Sequence, residues 1–136
     1  MKAGLVALLL LLCPYAAHAE SIYARSPALH GDTLVFTAEG DLWRVALAGG
    51  TAQRLTSHAG EEIEASISAD GRQVAFVAGY DASPEVYVMP LAGGSPKRLS
   101  FDGASVHVLG WTPDNEVLYS SSAVTGPGSS VVLRAV

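Results

Sequence analysis

Short apolar runs alternate with glycine-containing turns along almost all of the chain after residue 20. The runs are rich in the β-branched and aromatic residues that favour strands, and they lie at 33–37, 42–47, 65–68, 73–78, 85–89, 106–109, 117–121 and 131–134. Pairs such as Gly49-Gly50 and Asp70-Gly71 stand between the runs, where glycine supplies the positive φ of a tight hairpin. No window after residue 20 has the period of an amphipathic helix. The pattern predicts an all-β protein.

One segment of the chain is repeated. Residues 47–56 return with small changes at 91–100, which is 44 positions later. Upstream, 31–36 returns at 71–76, and a third copy begins at Trp111. A period of about 40–45 residues is the length of one four-stranded β-propeller blade. The repeat therefore predicts about two and a half blades, near 27–66, 67–109 and 110–136.

The strand pattern also indicates how these blades are placed. Residues 86–89 are apolar at every position, which is typical of a strand that is buried on both faces. A propeller explains such burial because each blade lies between two others. Closed propellers have about four to eight blades. Residues 20–136 are therefore predicted to be an incomplete N-terminal β-propeller from a longer protein; the alternative is a short chain that associates into a ring.

Residues 1–19 have the pattern of a cleaved secretory signal peptide. Lys2 precedes an apolar run at 5–12, and Ala17 and Ala19 form a small-residue cleavage site. The run is too short to span a bilayer stably, although a membrane anchor is the alternative. The single cysteine, Cys13, suggests a lipoprotein, but a leucine precedes it where a small residue is expected. The mature chain is expected to be exported, periplasmic or secreted, and free of the membrane.

Composition narrows the classes of partner. The formal net charge is −5 and the chain has no basic cluster, which argues against nucleic-acid binding. Arg54, Lys97 and Arg98 are the notable cations, and they lie at equivalent places in two repeats. Their recurrence favours a structural, solvent-facing role.

The three histidines of the mature chain are candidates for catalysis. His30 precedes a hairpin turn, His58 lies in a loop, and His107 lies on a strand where it packs or points along a blade edge. The chain has no Gly-x-Ser-x-Gly nucleophile elbow to pair with any of them. We therefore predict no catalytic residue and no bound cofactor.

Potential metal ligands cluster between the first two repeats. His58 is followed by Glu61, Glu62 and Glu64, but Gly60 argues against the helix of a zinc protease motif. A solvated loop between blades is expected, with weak calcium binding by the carboxylates as the alternative. No metal site is predicted.

Large aromatic residues recur at equivalent or nearly equivalent positions: Trp43, Tyr87, Trp111 and Tyr119. Recurrence with the repeat predicts that they form the core between blades, whereas a peptide-binding aromatic surface is the alternative. The stretch 126–130 contains Gly-Pro-Gly, but it lacks the lysine and the helix of a phosphate-binding loop. It is predicted to be a hairpin loop.

Several segments resemble the opening of tricorn-type proteases: 40–45, 49–56, 84–90, 98–106 and 110–114. The blade signature at 68–76 is more general, because Tol-associated periplasmic propellers with WD40-like repeats and prolyl-oligopeptidase-type enzymes share it. Ala69 and Asn115 depart from the usual proline and glycine, and both keep the turn feasible. The resemblance covers nearly all of the mature chain.

The resemblance implies a six-bladed propeller followed by a seven-bladed one, a PDZ-like domain and a serine protease site. The matching catalytic positions would lie beyond Val136, so none is assigned here. The expected role is that of a propeller that recognises or gates peptides or unfolded polypeptides in an exported serine peptidase. The full-length parent could be a homo-oligomer. The alternatives are a non-enzymatic Tol-associated scaffold and the propeller of a prolyl-oligopeptidase-type enzyme.

Overall fold

A computed structural model describes residues 23–123 and 132–136, which form three antiparallel sheets. Blade 1 contains β1 (Arg25–His30), β2 (Thr33–Ala38), β3 (Asp41–Ala46) and β4 (Gln53–Arg54). Blade 2 contains β5 (Glu62–Ile67), β6 (Gln73–Ala78), β7 (Glu85–Pro90) and β8 (Lys97–Arg98). Blade 3 contains β9 (Val106–Trp111), β10 (Val117–Ser121) and β11 (Val132–Ala135). Within each blade, neighbouring strands along the chain pair side by side.

The first strands of the three blades lie side by side, with β5 in contact with both β1 and β9. We call this surface the inner wall. The fourth strands of blades 1 and 2 are only two residues long and lie at the opposite edge of their sheets. This arrangement confirms the predicted fold class, an all-β partial β-propeller.

Blades 1 and 2 are joined by an apolar core. Val35 and Leu42 of blade 1 pack in the same cluster as Phe76, Tyr87 and Met89 of blade 2, and all five are buried. Full burial of each large apolar side chain contributes about 1.5–3 kcal/mol. The stacked rings of Phe76 and Tyr87 have centroids 6.0 Å apart, so the repeat unit supplies an aromatic pair to this seam.

The other face of blade 2 packs on blade 3. Ala75, Val77 and Val86 form a second buried cluster with Val117 and Tyr119. Alternate residues of β6 therefore enter two different cores, because successive side chains of a strand point to opposite faces. This explains why the strands of blade 2 are apolar at consecutive positions.

The recurring aromatic residues divide into two groups. Tyr87 and Tyr119 are buried between blades, as predicted. Trp43 and Trp111 are half-buried, and each indole N–H donates to a backbone carbonyl 3.0 Å away, that of Ala38 and that of Ser66 respectively. The Trp111 bond crosses from blade 3 to blade 2, so this ring also joins two blades.

Two sequence predictions lie outside the described residues: the signal peptide at 1–19 and the hairpin loop at 126–130. In the described ranges, 23–123 and 132–136, no helix is long and apolar enough to cross a membrane.

Candidate functional site

A buried carboxylate begins the third strand of blade 1. Asp41 is almost inaccessible and forms an ion pair with Arg54, whose Nε also donates to the Thr56 carbonyl at 2.9 Å. The Thr56 hydroxyl oxygen accepts a hydrogen bond from the Leu42 N–H at 2.8 Å. We call this arrangement the latch of blade 1, because it fastens the chain after β4 to the start of β3.

Blade 2 repeats the latch 44 residues later. Glu85 replaces Asp41, and Arg98 Nη2 donates to Glu85 Oε1 at 2.8 Å. Ser100 replaces Thr56; its hydroxyl oxygen accepts from the Val86 N–H at 2.8 Å, and its hydroxyl group donates to Glu85. The recurrence of Arg-Leu-Thr as Arg-Leu-Ser therefore has a structural explanation, because in each blade the arginine of this segment pairs with a buried acid.

The carboxylate of Glu85 is held in its ionised form. Burial alone would raise the pKa of Glu85, but the Ser100 hydroxyl, the backbone N–H groups of Gly103 and Asp102, and Arg98 all donate to it. Together these hydrogen bonds hold the pKa below its ordinary value.

A second buried carboxylate, Glu62, lies at the seam between blades 1 and 2. Its Oε2 accepts from the Thr56 hydroxyl at 2.7 Å, and its Oε1 accepts from the Tyr80 hydroxyl at 2.8 Å. Burial raises the pKa of Glu62, and the nearby charge of Asp41 raises it further, against the opposing effect of the two hydroxyl donors. The predicted solvated loop is therefore wrong for Glu62, whose side chain is fully buried.

The residues around Glu62 form a small aromatic and polar cluster. The rings of His58 and Tyr80 have centroids 4.1 Å apart, and the Gly60 N–H donates to His58 Nδ1 at 3.0 Å. The His58 N–H donates to Asp41 at 3.2 Å. Burial and the adjacent Glu62 both raise the pKa of the Tyr80 phenol, so it stays protonated and donates its hydrogen bond. These contacts stabilise the seam.

The three histidines contact different residues and do not form a common cluster. His30 Nε2 lies 2.8 Å from the Ala69 carbonyl, between the hairpin turns of blades 1 and 2. His107 Nδ1 lies 2.8 Å from Glu64 on the inner wall. Within residues 23–123 and 132–136, no group of three or more histidine, cysteine, aspartate or glutamate side chains is placed to hold a metal ion.

The cations predicted to be structural divide by their partners. Arg54 and Arg98 pair with the buried acids of the two latches. The Arg98 guanidinium also lies 4.5 Å from the centroid of the Phe101 ring. Lys97 is exposed. In the sequence, the latches could be predicted from two recurrences with the same offset: an acid at 41 and 85, and an arginine at 54 and 98.

A cleft of about 340 Å³ lies on the inner wall and receives residues from all three blades: Ser26, Pro27, Glu64, Ala65, Ser66, Val108 and Leu109. Each inner strand is irregular at this level, with register shifts between Arg25 and Ala28, between Ile63 and Ser66, and opposite Leu118 and Tyr119. The sequence analysis named only Glu64 among these cleft residues, as a potential metal ligand, because a bulge in an inner strand has no compositional signature here.

A larger cleft of about 710 Å³ opens between blades 1 and 2 on the side of their hairpin turns, with Arg44 and Arg72 among its lining residues. Arg44 is already engaged, since it donates to Gln53 Oε1 through Nε and Nη2 and to the Leu91 carbonyl through Nη1 at 2.8 Å. Its contacts join the two blades.

Comparison with known sequences gives one family over most of the chain. Residues 21–136 match the family model described as the tricorn protease N-terminal beta propeller domain. Tricorn protease homolog 1 of Streptomyces coelicolor is 41% identical to this chain over 105 residues, which cover 76% of this chain and 10% of the homolog. The chain thus spans about a tenth of the length of that relative.

Comparison with solved structures gives the same architecture. The crystal structure of the tricorn protease matches with a TM-score of 0.75 and 25% identity, over 85% of this chain and 12% of that one. The crystal structure of TolB from Acinetobacter baumannii matches with a TM-score of 0.67 and 22% identity, over 84% of this chain and 30% of that one. The second match concerns the fold alone.

Proposed function

Because this chain belongs to the tricorn protease N-terminal beta propeller family, we propose that it is the propeller portion of an exported tricorn-type serine peptidase. In this proposal it recognises or gates the peptides or unfolded polypeptides that the parent protein hydrolyses. The hydrolysis belongs to another part of the parent protein. It proceeds by acyl transfer to a serine, with a histidine base and stabilisation of the oxyanion by backbone N–H groups.

The observation that carries this proposal is the inner wall. Three successive blades place β1, β5 and β9 side by side, and residues of all three strands line one cleft of about 340 Å³. A surface made by repeated strands and lined by small, apolar and polar side chains suits an extended polypeptide. His30 and His58, by contrast, lie in contacts at the seam between blades 1 and 2.

Two alternatives remain open to experiment. A non-enzymatic scaffold of the Tol-associated type would have a closed propeller and no peptidase domain. A prolyl-oligopeptidase-type enzyme would have an α/β-hydrolase domain with a nucleophile elbow. The likeness to TolB supports a shared fold, whereas the family match and the 41% identity favour the tricorn type.

The first test is to sequence the coding DNA beyond the codon for Val136. The proposal expects further blades, a PDZ-like segment and a serine peptidase site in frame. A closed propeller with no peptidase domain would support the scaffold instead. For export, mass spectrometry of the mature N-terminus is expected to find Glu20 as the first residue.

A direct test of substrate handling uses fluorescence anisotropy. A labelled, permanently unfolded polypeptide should bind the protein, while the same label on a tightly folded domain should not. Equal binding of both, or binding of neither, would contradict a role in selecting unfolded substrates.

A further inference from the structure

We propose that the cleft of the inner wall, together with His107 beside it, is a peptide-binding subsite. Glu64 lines the cleft and orients His107 so that its imidazole contacts the main chain of an extended peptide. The inference rests on the proposed function, because it takes a peptide as the ligand. It adds the residues that would hold that ligand and the part each would play.

The subsite is built by irregular backbone at equivalent places. Ser26 in β1 and Glu64 in β5 both have positive φ, 50° and 56°, and each lies just after the last regular pair before a bulge. Neither residue is glycine, so the left-handed conformation costs free energy at both positions. Bulges re-aim side chains, and these two place Ser26 and Glu64 on one cleft.

Glu64 joins the inner strands of blades 2 and 3. Its Oε1 lies 2.8 Å from His107 Nδ1, and its Oε2 accepts from the Val108 N–H at 3.2 Å. A carboxylate can only accept hydrogen bonds, so Nδ1 carries the proton in this pair. The opposite nitrogen of the ring, Nε2, is thereby set as an acceptor in the neutral imidazole.

His107 is accessible to a ligand. Its side chain is 57% exposed, and in the part of the chain that the structure describes its hydrogen bond is the one with Glu64. A neutral imidazole held in this tautomer accepts a hydrogen bond from a peptide N–H through Nε2. Glu64 is accordingly a positioning residue, while His107 contacts the ligand.

The rest of the cleft fits the side chains of an extended peptide. Ala65, Val108 and Leu109 supply apolar surface, and Leu109 is 52% exposed. Ser26 and Ser66 lie in the same cleft and add polar groups. An extended peptide presents main-chain hydrogen-bonding groups and alternating side chains. A wall with polar groups beside an apolar patch can contact both.

The test measures binding of a fluorescein-labelled, unstructured peptide rich in alanine, serine and leucine. We expect His107→Ala and Leu109→Ser each to weaken binding about tenfold, the size of effect that a central contact residue produces. Glu116→Gln is the matched control, because Glu116 is exposed in the turn between β9 and β10. It should bind as the unaltered protein does.

Two measurements separate positioning from general stability. Long-range ¹H–¹⁵N spectra of the His107 ring should show the Nδ1–H tautomer in the unaltered protein and a mixture of tautomers in Glu64→Gln. In the His107→Ala background, Glu64→Gln should weaken peptide binding no further, since the two residues act as one unit. Additive effects would overturn the positioning role.

A spin label on the peptide tests the subsite without any substitution. It should broaden the amide resonances of Ala65 and Leu109 most strongly. Peptide binding with no broadening there, or with unchanged affinity in His107→Ala and Leu109→Ser, would overturn the subsite and leave the proposed function standing. Absence of peptide binding by the unaltered protein would overturn both.

Discussion

Glu62 and Val106 occupy the same register position in successive inner strands: Glu62 pairs with Ala78, and Val106 pairs with Ser121. The seam between blades 1 and 2 therefore contains a buried carboxylate where the next seam contains a methyl-bearing side chain. The hydroxyl at the latch changes its acceptor accordingly. Thr56 donates across the seam to Glu62, whereas Ser100 donates to Glu85 within its own blade.

Replacing Glu62 tests the first seam. Because the pKa of Glu62 is raised in the folded protein, its charged form disfavours folding, and stability is lost as the pH rises through the folded pKa. The groups that face it are Thr56, Tyr80 and Asp41, and Asp41 is paired with Arg54. We expect the free energy of unfolding of Glu62→Gln to rise relative to that of the unaltered protein as the pH increases above the ordinary carboxyl pKa. Urea unfolding across that range measures the difference; a difference that is independent of pH would contradict the buried charge.

Replacing Glu85 should give the opposite dependence. Its pKa is lowered in the folded protein, so its ionised form adds stability above the ordinary carboxyl pKa, and this stability is lost as the pH falls through the folded pKa. Glu85→Gln should therefore lower the free energy of unfolding most near neutral pH, and progressively less as the pH falls. The same urea series compares the two variants directly, and the slopes of their stability differences with pH should have opposite signs.

The arginine of the second latch is the partner of a fully buried acid. Arg98→Ala would leave Glu85 without its cation and with fewer hydrogen bonds, so we expect a loss of about 2 kcal/mol in the free energy of unfolding. Lys97→Ala is the control, since Lys97 is the exposed neighbour in the same short strand, and it should change stability by less than about 0.5 kcal/mol. Equal effects would show that the ion pair is not what stabilises the latch.

Much of the architecture could be predicted from the repeat. The copies at 47–56 and 91–100 fix the spacing of equivalent turns, and the consecutive apolar positions at 86–89 indicate a strand between two cores. The repeat is a periodic signal and the apolar run is a local one, so both can be recognised in a single sequence. Together they predicted the all-β propeller. The burial of Tyr87 and Tyr119 follows from the same periodicity.

The elements that were missed have physical reasons. β1 contains Pro27, which is acceptable in a strand with an unpaired edge but weakens a strand prediction. β5 begins at Glu62, three residues before the predicted segment at 65–68. The prediction missed this start because a glutamate favours a loop assignment unless the groups that hydrogen-bond to it are known. Those partners, Thr56 and Tyr80, come from different elements, so composition alone does not reveal them.

Gly60 and Gly79 allow a test of how closely two backbone segments approach each other at the first seam. A Cβ on Gly60 would overlap the backbone carbonyl of Gly79, whereas a Cβ on Gly79 would meet no atom within 4 Å. We expect Gly60→Ala to destabilise the protein by about 1–3 kcal/mol through overpacking. Gly79→Ala should be close to neutral. Thermal unfolding of the pair makes the comparison, and similar melting temperatures would show that the loop moves aside at little cost.

The Thr56–Glu62 contact has a consequence for synthesis on the ribosome. Every strand of blade 1 precedes residue 55, yet the acceptor for its Thr56 hydroxyl comes with the first residue of β5. The Tyr80 hydroxyl that completes the carboxylate's hydrogen bonds comes only after β6. In blade 2, the Ser100 hydroxyl donates instead to Glu85, which lies in the third strand of the same blade. Blade 1 thus leaves the ribosome before blade 2, but the hydrogen bond of its Thr56 hydroxyl forms only after the start of blade 2 has been synthesised.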